Sequence, residues 1–155
     1  MKRNWLVLAS SVVAMLSASL AVAEGRVAIV DESKLATHWV PLEGVARVMP
    51  GFPTGGDHAQ DVCVTIGFQI SSKGAIGNFA QLRAWSSGSG AAEPPEALTD
   101  PYVQLAAAAI SRWQFVAKGR AKAVYTSATF AFPGASTPAD AVRAHYQIED
   151  LQAFV

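Results

Sequence analysis

The stretch Val62-Cys63-Val64-Thr65-Ile66-Gly67-Phe68-Gln69-Ile70 sets a valine, isoleucine or phenylalanine at every second position. An extended chain points alternate side chains to opposite faces, so this stretch reads as a half-buried strand with Val62, Val64, Ile66, Phe68 and Ile70 turned inward. Ser71-Ser72-Lys73-Gly74 then supplies a polar turn, and Ala75 to Trp85 returns as the second strand of a hairpin. Its apolar residues, Ile76, Phe79, Leu82 and Trp85, recur nearer to every third position, which leaves a bulge or a helical turn as alternatives within it.

Downstream, Ser86 to Thr99 is rich in Gly and Pro and reads as a flexible connection. Asp100 as N-cap and Pro101 at the first helical position predict a helix through Trp113, with Tyr102, Leu105, Ala106, Ala109, Ile110 and Trp113 on one apolar face. Lys118-Gly119-Arg120 makes a turn. Val124, Thr126, Ala128, Phe130 and Phe132 alternate as a third strand ended by Pro133-Gly134. The tail from residue 133 to 155 carries a helix start at Thr137-Pro138-Ala139-Asp140 and reads as a docked helix or a frayed end, with Val142, Tyr146, Ile148, Leu151, Phe154 and Val155 favouring docking. Upstream, Val27-Ala28-Ile29-Val30 reads as a short strand and His38-Trp39-Val40 as an apolar patch. Pro50-Gly51-Phe52-Pro53-Thr54-Gly55-Gly56 forces a loop that leads into the core.

Residues 1–23 look like a secretory signal peptide: Lys2 and Arg3 are followed by an apolar run from Trp5 to Leu20, and Ala21-Val22-Ala23 is a small-x-small cleavage site. The run is shorter than the about 20 strongly apolar residues of a spanning helix. Cleavage after Ala23 into the periplasm is the expectation, with retention as an inner-membrane anchor facing the periplasm as the alternative. Over the whole sequence, 51% hydrophobic and 15% charged residues speak for a folded domain. Lys plus Arg and Asp plus Glu balance at 12 each, which argues against nucleic acid as a partner. Cys63 is the only cysteine, so no intramolecular disulfide holds the fold, and its apolar neighbours mark it as a core residue.

Several local sequences, in order, carry a resemblance. Pro50-Gly51-Phe52-Pro53 is similar to a Pro-x-aromatic-Pro segment, Val64 to Gly74 to a first strand and turn, Ser86-Ser87-Gly88 to a Ser-Ser-Gly after the second strand, and Arg112-Trp113-Gln114-Phe115 to an Arg-Trp-x-aromatic helix end. As a set over roughly residues 47–132 they resemble the C-terminal domain of the TonB energy-transducer family. The resemblance implies an α+β domain, a small three-stranded antiparallel sheet in the order β-β-α-β with the helix on one face. Residues 24–46 would then be an N-terminal extension, 47–132 the domain and 133–155 the tail.

The same resemblance implies a periplasmic protein-binding module that pairs with an extended segment of an envelope protein, an outer-membrane receptor, in energy-dependent transport. An unpaired sheet edge gives this a physical basis, because extended peptides complete its free N–H and C=O groups. The expected partner-binding residues are Val124, Tyr125, Thr126, Ser127, Ala128, Thr129 and Phe130 of the third strand and Phe52, Pro53 and Thr54 of the lead-in loop, unless the tail covers that strand. The family's transducers carry a membrane anchor and a long Pro-rich spacer, whereas a cleavable leader points to a soluble envelope scaffold or homodimer as the alternative. No enzyme motif, metal-ligand spacing, cofactor site or small-molecule substrate is expected. The polar cluster Asp57-His58 with Asp61 reads as loop, and His38 and His145 have no paired spacing.

Overall fold

The computed structural model describes residues 27–155 except 56–58, 91 and 145. The predicted signal peptide, Asp57, His58 and His145 lie outside the described residues. The elements run β1 (Ala28–Ile29), a 3-10 helix (Glu32–Thr37), β2 (Trp39–Pro41), β3 (Val62–Ile70), β4 (Ile76–Ser86), α1 (Glu96–Ile110), β5 (Phe115–Ala117), β6 (Val124–Phe132), α2 (Ala139–Ala144) and α3 (Leu151–Phe154). The architecture is α+β. Four strands form one open sheet in the order β1-β6-β3-β4, and β2 pairs with β5 in a separate two-stranded ribbon.

The alternating stretch is the central strand, flanked by antiparallel β4 and β6. Val62, Val64, Ile66, Phe68 and Ile70 are each at most 1% exposed and meet Phe132, Phe130, Ala128, Thr126 and Val124 across the β6 register. Tyr102, Ala106 and Ile110 of α1 close this face into the main core together with Trp113. Edge-to-face contacts join Phe68 to Trp113 at 6.1 Å and Tyr102 to Phe132 at 4.9 Å, geometries that add to plain area burial. The expected three-stranded antiparallel sheet is present as β6-β3-β4. The fourth strand, β1, adds to it in parallel through Ala28 opposite Val124 and Ile29 opposite Tyr125.

The second hairpin strand resolves as a bulged one. Its eleven residues face nine of β3, with register shifts between Thr65 and Ile66 and between Gly67 and Gln69. Each bulge inserts a residue, and this is what stretches the apolar spacing away from two. Asn78 at φ 54° sits opposite the second shift and ties its amide to Gln69 at 2.7 Å, a conformation that Asn accepts better than most residues.

The helix is displaced from its expected bounds. It starts after Pro95, a full turn before Asp100, so Asp100 is not the N-cap and Pro101 lies inside the helix, where it cannot donate to the Ala97 carbonyl. Buried Thr99, bonded to the Glu96 carbonyl at 3.3 Å, anchors the added turn. At the other end Trp113 follows the helix instead of closing it. Its N–H bonds Ile110 O in a tightened turn, and its indole N–H reaches Val48 O at 2.7 Å. The aromatic pair Trp113 and Phe115 thus links α1 to the β2-β5 ribbon, at 6.2 Å between rings.

The opposite face of the sheet is covered in part by the C-terminal segment. Val142, Ile148 and Leu151 are buried there, and Thr65 Oγ1 donates to Tyr146 O at 2.9 Å while sharing a 3.1 Å hydrogen bond with Thr129 Oγ1. Gly67 leaves room on this face for Tyr125: a Cβ on Gly67 would fall 2.1 Å from the Tyr125 hydroxyl. The tyrosine crosses the sheet where glycine has no side chain.

Candidate partner-binding edges

β6 does not have the free edge expected of it. β1 lies along it, with Ala28 N–H donating to Ala123 O at 3.1 Å and Val30 N–H to Tyr125 O at 2.9 Å. Beyond the end of β1 a side chain takes over: Thr129 N–H donates to Glu32 Oε2 at 3.1 Å, and Arg143 of α2 donates to Glu32 Oε1. The cover comes from the N-terminal segment, with the C-terminal tail bracing it. Asp31 accepts from Leu151 N–H at 2.9 Å and from Lys34 Nζ at 2.7 Å, which fastens the segment to α3.

Of the residues expected to meet a partner, Val124, Thr126, Ala128 and Phe130 point into the core and are at most 5% exposed. Ser127 and Thr129 are also buried, and Tyr125 is half-buried across Gly67. In the lead-in loop, Phe52 packs edge-to-face on Tyr102 and Phe132, at 5.7 and 6.0 Å, and Pro53 is buried. Thr54 is exposed. The loop residues therefore belong to the far end of the core from β1, which pairs at Val124 and Tyr125.

Burial raises the pKa of Glu32 above its ordinary 4.5, and the neighbouring Arg143 and Thr129 offset only part of that cost. The Asp31 carboxyl is lowered by its hydrogen bonds to Lys34 and Leu151. Burial pushes the Cys63 thiol up to about 12, so it stays a protonated, inert core group. Burial likewise raises the Tyr125 hydroxyl.

Glu32 borders a cavity of about 180 Å³, also lined by Leu35, Trp39, Arg47, Trp113 and Ser127, among others. Ser127 Oγ and Arg143 Nε are both buried and without a hydrogen-bond partner. Arg47 stands 5.6 Å from the Trp113 ring beside the same cavity. Among the described residues, no group of three or more His, Cys, Asp or Glu is placed to hold a metal ion, and no helix is long and apolar enough to cross a membrane.

The other outer strand of the expected three is β4. No strand pairs with its outer side among the described residues, and Asn78 to Gln81 are exposed there. Phe79, 39% exposed, is the largest apolar side chain on this stretch. Sequence reasoning fixed on β6 and did not find Ala28, Val30, Glu32 or Arg143. The one available signal was the apolar run Val27 to Val30, which announces a strand without naming its neighbour. Comparison with known proteins returns nothing: no family model, curated protein or solved structure matches this chain.

Proposed function

We propose that the chain is an exported, TonB-like protein-binding module of the periplasm, which receives an extended segment of an envelope protein, such as an outer-membrane receptor, by strand addition along β6. One observation carries the reading. β6 offers nine residues in unbroken register, yet among the described residues its outer ladder is paired by the two residues of β1 and bonded further by the Val30 amide and the Glu32 carboxylate. A two-residue ladder contributes few hydrogen bonds, each worth about 1 kcal/mol net, so a longer incoming strand has more to gain from that edge than β1 has. The TonB-like order of sequence motifs supports the same site independently of the edge geometry.

The test combines address and contact. Expression of the full chain in a Gram-negative host should give a periplasmic protein whose mass starts at Glu24. A photocrosslinker at Tyr125 should capture a partner, while one at Phe79 on β4 should not. Capture from Phe79 alone would overturn the assignment to β6, and retention of Met1 in the membrane fraction would favour an anchored transducer. The alternative is a soluble scaffold that homodimerises through a strand edge, and open β4 favours it. It predicts cross-links between copies through residue 79.

A further inference from the structure

The segment that occupies β6 is itself a record of what the edge accepts. Ala28 donates its amide to Ala123 O at the entry to β6 and Val30 donates to Tyr125 O within it, and both side chains turn toward the main core, Val30 at 7% exposure. Glu32, two residues on, stops the ladder and offers its carboxylate to Thr129 N–H and Arg143. Alternate positions 28, 30 and 32 thus read small, apolar, acidic. Ile29, on the other side of the strand, is 38% exposed and under little demand.

Resting on strand addition at β6, we infer that the segment Ala28–Glu32 is a built-in stand-in for the partner, and that the partner is a peptide running parallel to β6 with a small residue, an apolar residue and a Glu or Asp at alternate positions. Two donors converging on the two Glu32 oxygens, Thr129 N–H and Arg143, select the acidic residue, because an amide offers one acceptor oxygen where a carboxylate offers two. Arg143 is the cation that meets it, and its buried Nε is a donor that Glu32 leaves unused. Ser127 Oγ of β6, 1% exposed and unpartnered, is a second unused polar group. The cavity lined by Glu32 and Ser127 leaves space beside the carboxylate for an occupant that also meets Ser127 Oγ. A carboxylate bound by arginine and a backbone amide is recognised by charge-assisted bonds, about twice as strong as neutral ones.

The probes are a fluorescent peptide with the sequence of residues 27–34 and the same peptide with Gln in place of its Glu. They are titrated onto the full chain, and onto full chains loosened by Val30→Asp or by Ala28→Pro, which removes the amide that reaches Ala123 O without burying a charge. Release of the resident segment raises the fraction of open edge, so at least one loosened chain should bind the Glu peptide about tenfold tighter than the wild type does. The Gln peptide should bind about tenfold more weakly than the Glu peptide, and adding Arg143→Ala should bring the two together. Equal affinity for Glu and Gln peptides with Arg143 intact overturns the acidic recognition and leaves strand addition standing. Binding of neither peptide by a loosened chain that still melts cooperatively overturns both. Dimerisation of a loosened chain that excess peptide does not reverse overturns the partner in favour of strand exchange between copies.

Discussion

β4 and β6 both flank β3, and each is long enough to template another strand, yet β4 is irregular and open while β6 is regular and closed. A bulge displaces the ladder groups and tightens the local twist, so a flat incoming strand cannot follow β4 for more than a few residues. Arg83, which lies over Phe154 at 4.7 Å, adds charge to that side. β6 has no such irregularity. Its protection comes from elsewhere in the chain, through β1, the Glu32 carboxylate and the tail that holds both. An edge made irregular by its own sequence offers a poor template whatever the rest of the chain does, whereas an edge covered by a separate segment can be opened by moving that segment. This is why the closed edge, and not the open one, is the better candidate for regulated binding.

The largest effect that separates the two edges should come from Leu151, fully buried under the second face with its N–H on Asp31. Leu151→Ala should cost about 2–5 kcal/mol and speed amide exchange in β6 more than in β4. Phe154→Ala, which removes the partly exposed ring under Arg83 on the β4 side, should cost about 1 kcal/mol or less. Comparable losses in thermal or denaturant melts would erase the distinction. An intermediate effect is expected at Val30. Val30→Asp should raise exchange at Tyr125 to Thr129 by about tenfold or more while leaving Ala80 to Trp85 unchanged, and exchange followed by NMR would show it.

Glu32 sharpens the comparison through pH. Its pKa is raised in the folded state because burial outweighs the attraction of Arg143, so the folded protein holds this proton more tightly than the unfolded chain. Stability from this group is therefore greatest in acid and falls as pH rises from about 4.5 through the raised value. Glu32→Gln carries no such cost. The melting temperature of the variant should gain on the wild type between about pH 4.5 and pH 7. A difference independent of pH would mean that Glu32 is not buried at the edge. The smallest effect lies on β4, where Asn78→Val should cost about 1 kcal/mol at φ 54° and leave β6 exchange unaltered.

Much of this fold was legible in residue pattern, and the illegible parts have physical reasons. The period of two in Val62 to Ile70 and in Val124 to Phe132 survives because both strands are regular and share a buried face. In Ile76 to Ser86 the two bulges break the period, and the spacing alone did not distinguish a bulge from a helical turn. Asp100-Pro101 looked like a helix start because both residues suit one. The actual start at Glu96 depends on Thr99 finding the core. The candidate edge was harder still. β6 was recognisable, but its closure depends on a two-residue parallel pairing with Ala28–Ile29 and on the meeting of Glu32 with Arg143, contacts between distant parts of the chain that leave no local period. Phe52 and Pro53 showed the converse problem. A Pro-aromatic-Pro loop looks like a display of apolar side chains, yet Phe52 spends its ring on Tyr102 and Phe132.

The central claim, that the β6 edge must be vacated for a partner to bind, is tested most directly by locking it. Ile29 and Tyr125 are paired in register, so Ile29→Cys with Tyr125→Cys places two thiols across the β1–β6 pair, while Cys63, its thiol pushed up to about 12 and fully buried, stays out of the exchange. Binding of the peptide with the sequence of residues 27–34 is then measured on the oxidised and the reduced protein. Loss of binding on oxidation and its recovery on reduction is the predicted result; an oxidised protein that binds the peptide as tightly as the reduced one would contradict the account.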